Sequence, residues 1–118
     1  MPRDEQMAEL ADCVEELRRR LGESVTARLV ETFLETSGEA VTRLSRAYWK
    51  KERDVLRETA NELKGMSALI GAARLSNLCA ELERLPRGHA RQIAAIAEER
   101  ARAAARLSHH LGRRHTAA

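Results

Sequence analysis

Few side chains in this sequence are equipped for chemistry: four histidines, two cysteines, and a lysine beside a glycine in the middle of an amphipathic stretch. An imidazole can attack an electrophile, relay a proton or ligate a metal. His89 follows the Pro86-Arg87-Gly88 break, and His109, His110 and His115 crowd the C-terminus. The adjacent His109-His110 pair lacks the i,i+4 spacing that sets two ligands on one helix face, so neither a metal nor a cofactor is expected. Cys13 and Cys79 stand far apart in Leu-rich patterns without a CxxC, and both read as small buried residues. What remains is the run Asn61-Glu62-Leu63-Lys64-Gly65, where an amide, an ammonium and a bare glycine fall within little more than one helical turn.

Only helices can carry these groups. The chain has 118 residues, 33% charged, 43% hydrophobic and 3% aromatic, and its apolar residues are mostly Ala and Leu. Strands draw on aromatic and β-branched residues, so a sheet is excluded and an all-α fold in a single domain, residues 1–118, is expected. A domain of this size closes one core but not a core plus a deep cavity, which disfavours an enzyme with an enclosed pocket. No apolar run approaches the length of a membrane span, and the N-terminus lacks the basic head and apolar middle of a signal peptide; a cytoplasmic protein with no membrane partner is expected. Residues 1–85 carry 14 Lys or Arg against 16 Asp or Glu, whereas residues 86–118 carry seven Arg against two Glu. The C-terminal arginines lie among alanines without aromatic or glycine interleaving, so they read as a solvated helix face and nucleic acid is not the expected partner.

The periodicity predicts where the helices lie. Met7, Leu10, Val14, Leu17 and Leu21 make one stripe over about 4–21, closed by Gly22. Val25, Leu29 and Phe33 predict a helix over about 23–36; Ser37-Gly38 interrupts it, and Val41, Leu44 and Tyr48 predict another over about 38–50. Leu56, Thr59, Leu63, Met66 and Ile70 mark a helix over about 52–70 ending at Gly71, and Leu75, Leu78, Leu82 and Leu85 mark the next, stopped by Pro86. Ile93, Ile96, Arg100, Ala104, Leu107 and Leu111 give the last, over about 89–111, with 112–118 frayed. Short loops force long neighbours to lie antiparallel. The expected architecture is an up-and-down antiparallel four-helix bundle, core 23–111, with a short N-terminal helix packed as a lid.

With Leu63 pointing inward, the helical period turns Asp54, Arg57, Glu58, Asn61, Lys64, Gly65 and Ala68 outward. Gly65 is out of place there, since a mid-helix glycine costs about 1 kcal/mol relative to alanine. Between Asn61 and Ala68 it makes a bare, flat spot rimmed by Arg57, Glu58 and Lys64, suited to receiving another protein's backbone. A neutral glycine on an exposed helix is the plain alternative.

The segment ETANELKGMSALIGAARLSNLCAELE resembles the core motif of the histidine-containing phosphotransfer (HPt) domain family, through Ala60, Leu63, Lys64, Gly65, Ser67, Gly71, Ala72, Leu75, Leu78, Cys79, Leu82 and Glu83. The resemblance spans about 23–111 and is most specific at Leu-Lys-Gly followed by Ile-Gly-Ala. It implies a surface that docks response-regulator receiver domains or a hybrid sensor kinase, with Lys64 near the phosphorylation pocket, Gly65 leaving room for the approach and Ala68 offering a small contact. Asn61 stands where the family has its phosphoaccepting histidine, and Met66 where a small Ser is usual. A carboxamide nitrogen has a delocalised lone pair and is not a nucleophile, although it keeps hydrogen-bonding capacity and similar reach. None of the four histidines has a Lys three and a Gly four residues on, so none is expected to substitute.

The resemblance implies a module of a bacterial-type two-component phosphorelay that docks receivers through Arg57, Glu58, Asn61, Lys64, Gly65 and Ala68 and takes no phosphate, acting as inhibitor or scaffold rather than enzyme. Two alternatives stand beside it. One is a competent phosphotransfer domain carrying a His-to-Asn substitution at position 61; the other is a basic helical adaptor unrelated to phosphorelay. A monomer or weak dimer is expected, with the stripe of the first helix available for self-association.

Overall fold

The computed structural model describes residues 2–85 and 89–117, with side-chain surroundings for 10–85 and 89–109. The described residues form five helices and no strand: α1 (Pro2–Leu21), α2 (Glu23–Trp49), α3 (Arg53–Ile70), α4 (Ala73–Arg84) and α5 (Ala90–Ala117). Helix α2 packs on α3, α3 on α4, α4 on α5 and α5 back on α2, while among the described residues no Cα atoms of the diagonal pairs approach within 8 Å. That ring is the expected bundle. Helix α1 touches all four others and closes the bundle as a lid, but with 20 residues it is longer than the 12-residue α4 and not short. Its Leu10 and Val14 are core residues, Leu17 is half-buried and Leu21 is exposed.

The two helices expected over 23–36 and 38–50 are one continuous α2. Its buried residues Thr26, Val30, Phe33, Ser37, Ala40, Leu44 and Ala47 alternate spacings of four and three straight through the supposed break. Phe33 and Leu44 of the expected stripe are buried, but Val25 is exposed and Leu29, Val41 and Tyr48 are half-buried beside the buried Thr26, Val30, Ala40 and Ala47. Ser37 and Gly38 are small because Arg100 of α5 lies against them. Its Nε donates to the Ser37 hydroxyl at 2.9 Å and its Nη2 to the Leu34 carbonyl at 2.5 Å, and a Cβ on Gly38 would meet that guanidinium at 3.3 Å.

Helix α3 stops at Gly71 as expected. Gly71 adopts φ 88°, its N–H donates to Ala68 O, and the Ala72 N–H donates to Ser67 O at 2.8 Å, so the last carbonyls are satisfied by a left-handed cap. An added Cβ at Gly71 would fall 2.6 Å from Cys13 Sγ, because α1 crosses directly over this turn. Cys13 is half-buried rather than buried, whereas Cys79 is fully buried.

Helix α5 runs to Ala117, past the stop expected near 111. Ile93, Ile96 and Leu107 are buried as expected, Ala103 is buried in place of Ala104, and the Leu111 side chain lies outside the described surroundings. The arginines of α5 are not a uniform solvated face. Arg100 is turned onto α2, and Arg102, with Arg74 of α4, holds the buried Glu99 carboxylate at 3.2 and 3.3 Å. Arg91 and Arg106 are exposed, and Arg87, Arg113 and Arg114 lie outside the described surroundings. No described helix is long and apolar enough to cross a membrane.

Candidate functional site

Helix α3 is anchored along one side by Leu56, Thr59, Ala60, Leu63, Ser67 and Ile70, all buried. The Ser67 hydroxyl answers its own burial by donating to the Leu63 carbonyl at 2.6 Å, and Thr59 does the same to Val55 at 2.7 Å. Met66, expected on the core face, is half-buried at its edge, with the Thr36 hydroxyl 3.0 Å from its sulfur.

The opposite side carries the expected surface. Asp54, Arg57, Glu58, Asn61, Gly65 and Ala68 are all exposed. A Cβ at Gly65 would meet nothing within 4 Å, so no neighbour in the fold requires glycine at this mid-helix position. Lys64 departs from the expectation: it is half-buried and leans toward α4, where its Nζ lies 2.8 Å from Glu83 Oε1. The turn of backbone beneath it is tied to the same helix, since Ser76 Oγ donates to the Lys64 carbonyl at 3.1 Å. Glu83 Oε1 is buried and is compensated by that ammonium, not by a hydrogen bond of regular geometry. Lys64 therefore presents a partly neutralised charge at the rim of the bare spot.

Cys79 packs beneath this ion pair. Burial pushes its thiol up to about 12, the Glu83 carboxylate adds to the shift, and Lys64 opposes it. A thiol held protonated is a poor nucleophile, so Cys79 is a packing residue and not a reactive group at this face.

Leu69 was not legible as part of the surface. It is 60% exposed, one helical turn on from Gly65 and two from Asn61. With Leu29, Thr32, Thr36 and Met66 it lines a shallow depression of about 70 Å³ between α2 and α3. The available signal was an apolar residue off the Leu63-Ile70 stripe. The face thus runs from polar at Arg57 and Glu58, through the bare spot at Gly65, to apolar at Leu69.

The other chemical candidates lie elsewhere. His89 and His109 are exposed, His109 on α5 and His89 just before it, and among the described residues no Cα atom of α5 lies within 8 Å of one in α3. The side chains of His110 and His115 lie outside the described surroundings. Among the described residues, no group of three or more His, Cys, Asp or Glu side chains could hold a metal ion.

A family model described as the Hpt domain matches residues 28–111, well over half of the chain and all of α3 and α4. The chain belongs to the HPt domain family. No curated protein and no solved structure matches it. HPt domains are phosphotransfer modules of two-component signalling, carriers and not enzymes in the ordinary sense, and their partners are response-regulator receivers. In this chain the HPt match covers the whole α3 face and leaves α1 outside it.

Proposed function

We propose that this HPt domain docks receiver domains through the α3 face without accepting phosphate, and so acts as an inhibitor or scaffold of phosphotransfer. The observation that carries the reading is the pairing of an exposed Asn61 with an exposed Gly65 that no packing contact demands. Asn61 takes the acceptor position because Lys64 and Gly65 follow it at three and four residues, as they follow the histidine in the family motif. A bare glycine serves an approaching partner and costs the free helix about 1 kcal/mol. Phosphoryl transfer to nitrogen requires a localised lone pair, which imidazole has and a carboxamide lacks.

Arg57, Glu58, Lys64 and Ala68 complete the docking face, and we add Leu69 as its apolar end. Lys64 would meet the acidic pocket of a receiver, with Glu83 setting how much of its charge is available. Binding of aspartyl-phosphorylated and unphosphorylated receiver domains, measured by calorimetry alongside acid-labile phosphate on this chain, tests the proposal. Binding without phosphate supports it. Replacing Leu69 by Glu is expected to weaken binding by about tenfold or more without loss of helicity, as for a large apolar side chain buried by the partner. A chain that acquires phosphate at Asn61's face, or that binds no receiver, contradicts it.

A further inference from the structure

We propose that the groove between the C-terminal half of α2 and the N-terminal half of α5 is a second docking surface, and that it takes an amphipathic helix with acidic flanks from a partner protein. The groove has a volume of about 610 Å³. That lies within the range of clefts that bind ligands, roughly 300–1,000 Å³. Its α5 wall is made of Ala90, Ala94 and Ala97 around Ile93, spaced so that small residues leave a valley along the helix. Its α2 wall is Val41, Ser45 and, at the end, Tyr48 with Trp49.

Trp49 stands 75% exposed, the most exposed large apolar side chain among the described residues. Its ring meets Tyr48 edge-on, with centroids 5.4 Å apart and planes at 78°, so the two aromatics stand together at the end of the groove. An exposed indole beside an apolar valley is the kind of anchor that protein interfaces bury.

Charge selects the occupant. Arg46 is the charged residue that lines the groove, and no acidic residue lines it. The first turn of α5, which begins at Ala90 on the groove wall, contains no acidic residue, so the positive end of that helix adds to the Arg46 charge. The complement of an arginine and a helix N-terminus beside an apolar floor is a helix with Leu-sized anchors and Asp or Glu beside them. A concave valley between two helices suits such a helix better than a lipid surface, which meets flat or convex faces. No residue of α3 lines the groove, so this surface is separate from the Asn61 face and does not depend on what occupies position 61.

Trp49 is the only tryptophan of the chain, so its emission reports on the groove. The whole protein is titrated with a Trp-free synthetic peptide of about 18 residues carrying Leu on one helical face and Glu on its flanks, and with the same peptide carrying Lys. Emission is expected to move to the blue, with the Glu peptide binding at least about tenfold tighter at low salt. Arg46→Glu, an exposed charge reversal that leaves the core alone, is expected to reverse the preference, and Ala94→Glu to abolish binding of the Glu peptide. Gly65→Ala is expected to leave it unchanged. Four results overturn the proposal: no shift with the Glu peptide, equal binding of both peptides, a blue shift that follows protein concentration without peptide, or a shift with phosphatidylglycerol vesicles alone.

Discussion

Gly65 and Cys79 are the two residues whose behaviour separates docking from folding. Because a Cβ at Gly65 would meet open space, Gly65→Ala is expected to raise unfolding free energy by up to about 1 kcal/mol, through helix propensity alone. The same substitution is expected to weaken receiver binding, so a denaturation curve and a binding isotherm should move in opposite senses. Cys79 works on stability instead. Its thiol is raised from 9.0 to about 12 by burial, so the unfolded chain ionises first and the favourable contribution, complete below about 9, is lost as pH rises toward 12. Chemical denaturation of the native protein across that window should show a fall of up to about 1.4 kcal/mol per pH unit from this group. Cys79→Ala is expected to lack that slope. Alkylation at about pH 8 should label the half-buried Cys13 well before Cys79.

At the scale of the elements, α2 and the turn after α3 carry the fold's two most specific contacts. Arg100 pins α5 to α2 at Ser37 and Leu34. Arg100→Ala is expected to cost about 1 to 3 kcal/mol, read as a shift of the denaturant midpoint, because two hydrogen bonds from a charged group are lost. Gly71→Ala should cost at least about 2 kcal/mol, since it combines a left-handed backbone with overlap on Cys13, and it is expected to loosen α1 from the bundle. Helix ends marked by glycine, Gly22 and Gly71, were legible in the sequence because the residue type itself reports the backbone conformation. The continuity of α2 was not. A Ser-Gly pair reads locally as a break, and only the long side chain of a residue 63 positions away explains why small residues belong inside that helix. Glu99 was hidden for the same reason: a carboxylate reads as exposed until Arg74 and Arg102 are brought onto it by the fold.

For the whole molecule, a bundle of four helices under a long α1 leaves both proposed docking surfaces on the outside. The α3 face was largely legible, since helical period alone turns Asn61, Gly65 and Ala68 outward. Two features of it were not: the lean of Lys64 onto Glu83, which needs the position of α4, and the exposure of Leu69, an apolar residue that lies off the core stripe. The docking proposed for this face would let a small domain take part in phosphoryl chemistry without an enclosed active site, the partner supplying the rest of the site. Position 61 separates docking from phosphoryl transfer. The most direct test mixes the native protein, and an Asn61→His variant, with radiolabelled aspartyl-phosphorylated receiver domains and follows acid-labile, base-stable label on each chain. The native chain is expected to bind the receiver and stay unlabelled, while Asn61→His becomes labelled; label on the native chain, or none on a folded Asn61→His that still binds, would contradict the account.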